Sequence, residues 1–469
     1  MSLPIELSRR CLELLDFRTR IFASHISRAW RDVALANPAM WNQARFSFLT
    51  RRSAVTVLET MLARSDPLPF SFVWVEVDIY LPHDLLTAVL RHMPRMAEIT
   101  VSGIDTRSCR LLLSRDAPLM RAFVCIARGS GYVVLPAHWA PQLRVLHLRN
   151  FVVPSSTPRF SALRSFSGRV STWAEGRIDN VNGRLYSVMS NLTTLDLVGI
   201  SQATIPYLLH PPPTLQELRL HSDRASIDYS ALLEHCAGCS LRILVLNNAA
   251  SVYGAAQLFT AMVPSGSWTF GGGNVVVMQS DAHQTRYEVH SNAPISFLHE
   301  PALFSRMDGV SELALPMSML VDVYGMTLPD CSLPSLRALT ASIDHSSIAD
   351  RFREMADQTH PSIGVPQLSR LTVMVEDEPQ PLTSRPRPLE HTIGWLADEL
   401  PRVLETILDL SLIEQMTISM RDAVQLARHD LTALLALAGR LCVEDRSKGE
   451  MVKLGGSGGC MLSIFASSY

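Results

Sequence analysis

A six-residue unit, apolar-x-x-apolar-x-apolar, returns along most of the chain, and its recurrence narrows the folds open to it. It reads MAEITV from Met96, LRVLHL from Leu143, LTTLDL from Leu192, LQELRL from Leu215 and LRILVL from Leu241. Later copies are VSELAL from Val310, LRALTA from Leu336, LSRLTV from Leu368 and IEQMTI from Ile413. Degenerate copies begin at Leu119 (LMRAFV) and Leu163 (LRSFSG). The last three positions of each unit alternate with period two, which suits a short strand with one buried face. Segments of helical period stand between copies: DLLTAVLRHM before Met96, YSALLEHC before Leu241 and IADRFREMAD before Leu368. Strand and helix therefore alternate along the chain.

Several spacings between copies (96 to 119, 119 to 143, 143 to 163, 192 to 215, 215 to 241) lie near those of leucine-rich repeats, about 20–29 residues. One strand and one helix cannot bury both apolar faces alone, so such units stack into a solenoid. The expected fold class is α/β. A small N-terminal three-helix module over residues 1–48 leads through a connecting helix and strand region at 49–95 to an irregular leucine-rich-repeat solenoid over 96–420. Its strands are expected to form a parallel sheet on the concave face, with helices on the convex face. Two regions interrupt the rhythm: residues 268–300, read as a hairpin-like insertion or a distorted repeat, and the proline-rich 376–390, read as a projecting loop. The last segment, 421–469, together with HTIGWLADELPRVLETILDL before it, reads as amphipathic helices that cap the array.

At 469 residues the chain has room for several ordinary domains or one long array. A formal charge of −2 gives no global attraction to nucleic acid or acidic membrane. Arg51, Arg52, Arg385 and Arg387 lack the interleaved aromatics of a nucleic-acid patch. No apolar run reaches the length of a membrane span and no signal-peptide core follows the start, so neither a membrane nor a nucleic-acid partner is expected. Eight scattered cysteines fit a reduced compartment, and the expectation is an intracellular protein of the cytoplasm or nucleus. Lysine occurs only at positions 448 and 453, while arginine supplies the other basic residues, a bias that codon usage in a GC-rich genome accounts for.

Catalytic patterns are missing. His235 and the pair Cys236 and Cys239 have half the spacing of a zinc knuckle, with no second half in reach. The glycines at 271–273 and 455–459 form neither a dinucleotide fingerprint nor a P-loop, and no G-x-S-x-G elbow appears. The chain is expected to be no enzyme and to need no cofactor or metal. The polar strand positions between the buried ones offer a recognition surface for a protein target, with His147, Arg149, Asp196, Arg219, His221, Asn247 and Asn248 as candidates.

The N-terminal module shows the remaining pattern. LPIEL from Leu3 opens a helix over about Pro4 to Leu15, with Ser2 as its cap; a short second helix carries Ile21, Phe22 and Ala23. A third runs from Ser27 to Ala36 and stops before Pro38. With LELLDF, HISRAWRDVAL and NPAMW following LPIEL, residues 2–46 resemble the F-box, a motif that binds the Skp1 adaptor of cullin-based ubiquitin ligases. The resemblance places Leu3, Pro4, Leu7, Cys11, Leu12, Leu15, Ile26, Ser27, Trp30 and Arg31 on the adaptor-binding pattern, with Ala34, Pro38 and Trp41 completing it. At Ser8 the family usually carries an apolar residue, and RTRIF replaces its commoner polar-Asp-Leu-Leu-Arg run. The family is also known in combination with leucine-rich repeats. The resemblance thus implies a substrate-recognition subunit of an SCF-type ubiquitin ligase, held by a Skp1-type adaptor and through it by a cullin, with a protein substrate on the repeats. The other reading open at this point is a non-ligase interaction scaffold whose N-terminal helices only cap the solenoid.

Overall fold

The computed structural model describes residues 4–15, 17–46, 51–75, 81–136, 139–152, 160–169, 186, 189–223, 226–263, 265–271, 274–295, 300–324, 332–343, 362–375, 395–409, 413–420, 426, 429–448, 450–454 and 463–466. The proline-rich segment 376–390 lies outside them. The chain divides into two units, residues 1–227 with 238–241 and residues 228–237 with 242–469.

In the first unit, three helices, α1 (Ile5–Leu14), α2 (Phe17–Ile26) and α3 (Arg28–Leu35), lead into alternating strands and helices. These are β1 (Gln43–Phe46), α4 (Arg51–Arg64), β2 (Phe70–Trp74), α5 (His83–Arg91), β3 (Met96–Ile104), α6 (Thr106–Leu113) and β4 (Ala122–Tyr132). Four more strands follow: β5 (Val145–Val152), β6 (Ser165–Arg169), β7 (Thr194–Val198) and β8 (Glu217–His221). From β1 to β8 the strands pair in chain order, each parallel to the next.

The six-residue unit owes its spacing to a turn followed by a strand. Its first leucine closes the turn: the Leu143 N–H donates to the Ala140 carbonyl at 3.2 Å, Leu163 to Phe160 at 3.1 Å, Leu192 to Met189 at 3.2 Å and Leu215 to Pro212 at 2.9 Å. All four side chains are buried. The next residue then joins the ladder. The Arg121 carbonyl accepts from both Arg144 and Val145, that of Arg144 from Arg164 and Ser165, that of Arg164 from Thr193 and Thr194, and that of Thr193 from Gln216 and Glu217. In each of these four units one double acceptor stitches the turn to the one before it and pairs the backbone N–H groups where the chain enters the sheet.

Along these strands buried and half-exposed residues alternate. The buried row includes Phe72, Ile99, Phe123, Leu146, Phe166, Leu195 and Leu218, and α4, α5 and α6 pack side by side in succession. The other row stays half-exposed and carries the polar side chains.

The second unit contains α7 (Ser230–Cys236), β9 (Ile243–Ala249), α8 (Tyr253–Met262), β10 (Gly266–Gly271), β11 (Val275–Ser280), β12 (Thr285–Ser291), α9 (Pro301–Phe304) and β13 (Val310–Pro316). It continues with α10 (Met317–Tyr324), β14 (Ala338–Ile343), β15 (Ile363–Gly364), β16 (Arg370–Val375), α11 (Leu400–Ile407), β17 (Leu408–Asp409) and β18 (Gln415–Met420). It ends with α12 (Thr432–Leu437), β19 (Leu441–Asp445), β20 (Glu450–Leu454) and β21 (Ser463–Ala466). β13, β14, β16, β18 and β19 pair in that order, all parallel, and β15 pairs separately with β17.

Two departures from expectation stand out. Residues 268–300 do not project from the sheet as an insertion: β10, β11 and β12 form an antiparallel meander within it, and β12 lies parallel to β9 while β10 lies parallel to β13. Spatial order here runs 9-12-11-10-13, the reverse of the chain. Phe259 of α8 packs edge-on against Trp268 and Tyr287, which fixes the meander to the buried side. At the far end, the expected helical cap is mostly strand. LCVED pairs with β18 as β19, and β20 and β21 continue antiparallel. The helical period ends with AGRL, and its described part holds α12; the residues that follow it form the ladder beside β18. Pro401 also keeps HTIGWLADELPRVLETI from being one helix, since it lacks an N–H and falls in the first turn of α11.

Candidate functional site

The three N-terminal helices share a core of Leu12, Ala23, Ala34, Met40 and Trp41, all buried. Polar contacts tie their ends together. Arg20 donates from Nε to the Leu15 carbonyl at 2.7 Å, from Nη2 to that of Glu13 at 3.2 Å and from Nη1 to that of Met40 at 3.4 Å. A cation thereby meets the free carbonyls at the end of α1. Ser27 caps α3 by accepting from the Trp30 N–H at 3.2 Å, and Arg31 Nε donates to the Ser24 carbonyl near the end of α2 at 3.3 Å. Trp41 donates from Nε1 to the Ala34 carbonyl at 2.7 Å, and the Arg64 guanidinium of α4 lies 4.4 Å from its ring centre.

So small a core leaves much apolar surface outside. Among the described residues nine large hydrophobics are exposed, and six of them lie on α1, α2 and α3: Ile5 (68%), Leu7 (51%), Leu14 (87%), Phe22 (60%), Ile26 (75%) and Leu35 (43%). Leu7 and Leu14 stand seven apart on α1, and Phe22 and Ile26 four apart on α2, so each pair shares one helix face. Such a concentration of exposed apolar side chains marks a contact surface.

The sequence-derived positions divide by burial. Pro4, Leu7, Cys11, Ile26 and Arg31 are exposed, Leu15 and Trp30 are half-buried, and Leu3 lies outside the described residues. Leu12 is wholly buried and belongs to the core instead of the contact face. The Ser27 hydroxyl is engaged as the cap of α3. Ile5 and Leu35 were not singled out from sequence, and Leu14 and Phe22 were read as apolar helix positions without a contact role, although the seven- and four-residue spacings to Leu7 and Ile26 carried the signal.

A second surface is the half-exposed face of the parallel sheet in the first unit. His147, Ser167, Asp196 and Arg219 stand in register across β5, β6, β7 and β8. His147 Nε2 lies 2.9 Å from the Ser165 hydroxyl; Ser167 Oγ donates to Asp196 Oδ2 at 3.1 Å; His221 Nε2 faces Asp196 Oδ1 at 3.6 Å. Arg219 Nε donates to Glu217 at 2.5 Å, and Arg169 pairs with Asp223. Burial holds the His147 imidazole below its ordinary pKa, against the opposing pull of the Asp196 carboxylate. Arg149 is exposed on β5. The sheet thus brings five of the seven sequence-derived candidates onto neighbouring strands and adds Ser165, Ser167 and Glu217 to them.

Asn247 belongs to the second unit, where its carbonyl accepts from the Tyr229 hydroxyl at 3.0 Å, and Asn248 takes a left-handed φ of 55°. There Glu288 accepts from Arg286 at 3.0 Å and lies 2.8 Å from His290 Nε2. Although burial opposes ionisation, these two partners hold the Glu288 carboxyl below its usual range. Sequence spacing had not pointed to this trio.

Among the described residues no group of three or more His, Cys, Asp or Glu side chains is placed to hold a metal. Cys239 donates to the Pro211 and Pro212 carbonyls, and burial pushes its thiol pKa up; Cys236 is buried at the end of α7. No helix among the described residues is long and apolar enough to cross a membrane. No curated protein matches the chain. Residues 1–38, which hold α1, α2 and α3, match the family model of the F-box domain.

Proposed function

We propose that the chain is the substrate receptor of an SCF-type ubiquitin ligase, held through its F-box by a Skp1-type adaptor and through that by a cullin. The observation that carries this reading is the gathering of six exposed apolar side chains on the three helices that match the F-box. Burying a Leu, Ile or Phe side chain on docking is favourable by about 1.5–3 kcal/mol each. The contact set proposed here is Pro4, Ile5, Leu7, Leu14, Phe22, Ile26, Trp30 and Leu35.

The remainder of the chain is read as an irregular leucine-rich-repeat solenoid. Its turn-and-strand units, five of them joined to the preceding one by a double acceptor (Arg121, Arg144, Arg164, Thr193 and Arg337), support that reading. The open polar face around His147, Ser167, Asp196, Arg149, Arg219 and His221 is the proposed target surface, with Asn247 serving the second unit. Such a receptor does no bond chemistry of its own; it raises the concentration of a target amine beside a charged ubiquitin-carrying enzyme. It acts where adaptor and cullin reside, in the cytoplasm or nucleus.

Titration of the purified chain with a Skp1-type adaptor tests this. Leu7→Asp and Ile26→Asp, both at exposed positions, are expected to keep the fold and weaken binding at least ~100-fold, about 2.7 kcal/mol. Absence of binding by the wild-type chain, or equal binding by both variants, overturns the reading in favour of a scaffold.

A further inference from the structure

In three consecutive units of the first part of the chain, arginine follows the residue that closes the turn. Met120, Leu143 and Leu163 close their turns on the Ala117, Ala140 and Phe160 carbonyls, and Arg121, Arg144 and Arg164 come next. Each stands one position before a set of registered partners, Ala122 with Val145 and Val145 with Ser165, so the three are neighbours where the chain enters β4, β5 and β6. Their backbones are joined in series: the Arg144 N–H donates to the Arg121 carbonyl at 2.8 Å, and the Arg164 N–H to that of Arg144 at 2.8 Å. Adjacent strands lie about 4.8 Å apart, so three cations are set in one row about 10 Å long.

All three arginines are exposed, and among the described residues none of their guanidinium groups has an ion-pair partner or a hydrogen-bond acceptor. Asp116, exposed just ahead of the first turn, pairs with none of them. The exposed residues within the turns, Pro118, Pro141, Gln142 and Ser161, carry neither a negative charge nor an aromatic ring. The second unit treats a similar placement differently. There Arg370, whose N–H donates to the Arg337 carbonyl at 3.0 Å, has Glu312 at 3.2 Å as its counter-ion. Like charges on neighbouring strands repel, so the uncompensated row destabilises the free chain, and an anion laid along it relieves the repulsion.

We infer that Arg121, Arg144 and Arg164 form a docking row for an acidic protein segment with Asp or Glu at alternate positions of an extended chain. The inference rests on the reading of the repeats as a target-binding array and not on the adaptor contact. Guanidinium forks bind carboxylates with two parallel hydrogen bonds, which a lone ammonium cannot do. On an extended segment the side chains of one face recur about every 6.8 Å, so two alternate carboxylates fall within the length of the row. The row also borders the polar sheet face, since Ser165 follows Arg164 directly and His147 lies three residues beyond Arg144 on β5. Nucleic acid is the poorer match, because the exposed turn residues offer a base no ring to stack on.

Fluorescence anisotropy with the full chain and a labelled peptide of alternating Glu and Ser tests the inference. At about 0.05 M salt, binding is expected to weaken at least tenfold when Arg121→Gln, Arg144→Gln and Arg164→Gln are combined, at least threefold in Arg144→Gln alone, and less than twofold in Arg337→Gln. No binding of this peptide by the wild-type chain, equal binding by the triple variant, or tighter binding of single-stranded DNA of the same charge overturns it. A second measurement needs no ligand. Relief of repulsion predicts that Arg144→Gln raises the thermal midpoint at about 0.05 M salt and loses that gain at about 1 M; a lowered midpoint at low salt counts against the row. Adaptor titration of the same proteins keeps the two readings apart: the docking row fails alone if adaptor binds and the Glu peptide does not, and the receptor reading fails alone if the reverse is found.

Discussion

Trp30 and Trp41, eleven residues apart in one F-box-like stretch, have different jobs. Trp41 is buried, bonded to the Ala34 carbonyl and covered by Arg64 of α4, so it joins the helical module to the sheet that follows; it also falls outside the matched residues 1–38. Trp30 is half-buried on α3 and remains accessible. Arginine does structural work elsewhere too. Arg95 donates to the carbonyls of Leu62 and Leu68 and to the Ser65 hydroxyl at 3.0–3.3 Å, and pairs with Asp66 at 2.9 Å. An ammonium cannot reproduce that fork, and Arg95→Lys is expected to cost about 1–3 kcal/mol in denaturant unfolding. His147 gives a pH signature. With its folded pKa held below the ordinary 6.5, the unfolded chain binds the extra proton between those two values. Its contribution to stability is complete above that window and is lost as pH falls through it. His147→Gln should therefore flatten the decline in thermal midpoint between about pH 7.5 and about pH 5.5.

Ten of the eleven six-residue units lie in phase on strands, because a buried first residue and two inward strand positions leave a readable spacing; the copy read at Leu119 runs one position early, since Met120 closes the turn on the Ala117 carbonyl at 3.0 Å and Phe123 and Cys125 are the buried strand positions. β2 escaped that pattern for a physical reason. Leu68 closes the same turn on the Ser65 carbonyl at 2.8 Å, but the register slips between Phe70 and Ser71, where β3 carries an extra residue, and the apolar phase of β2 runs one position early. The reversed order of β10 to β12 was not legible at all, since local alternation says nothing about which neighbour a strand pairs with. Its anchor is Phe259, whose ring centre lies 5.4 Å from Tyr287 and 6.3 Å from Trp268. Phe259→Ala should destabilise the chain by about 3–5 kcal/mol, read as a lower denaturant midpoint at unchanged slope. On α1, α2 and α3 the residue types were legible but not their sides. Leu12 and Leu14 look alike in LELLDF, yet two residues on a helix differ by about 200°, which puts Leu12 in the core and Leu14 outside.

At the scale of the whole molecule, a formal charge of −2 and an exposed patch of Ile, Leu and Phe on α1, α2 and α3 make the proposed adaptor contact one driven by apolar burial. Adaptor affinity should accordingly change less than about threefold between roughly 0.05 and 0.5 M salt, whereas an ion-pair interface would weaken much more. The polar sheet face is the contrasting surface, and target binding there should fall with salt. Hydrogen exchange of the full chain, with and without a saturating Skp1-type adaptor, tests the central claim most directly. The account predicts new protection confined to peptides spanning residues 5–35, with those covering β5 to β8 unchanged. Unaltered exchange across α1, α2 and α3 in the presence of adaptor would contradict it.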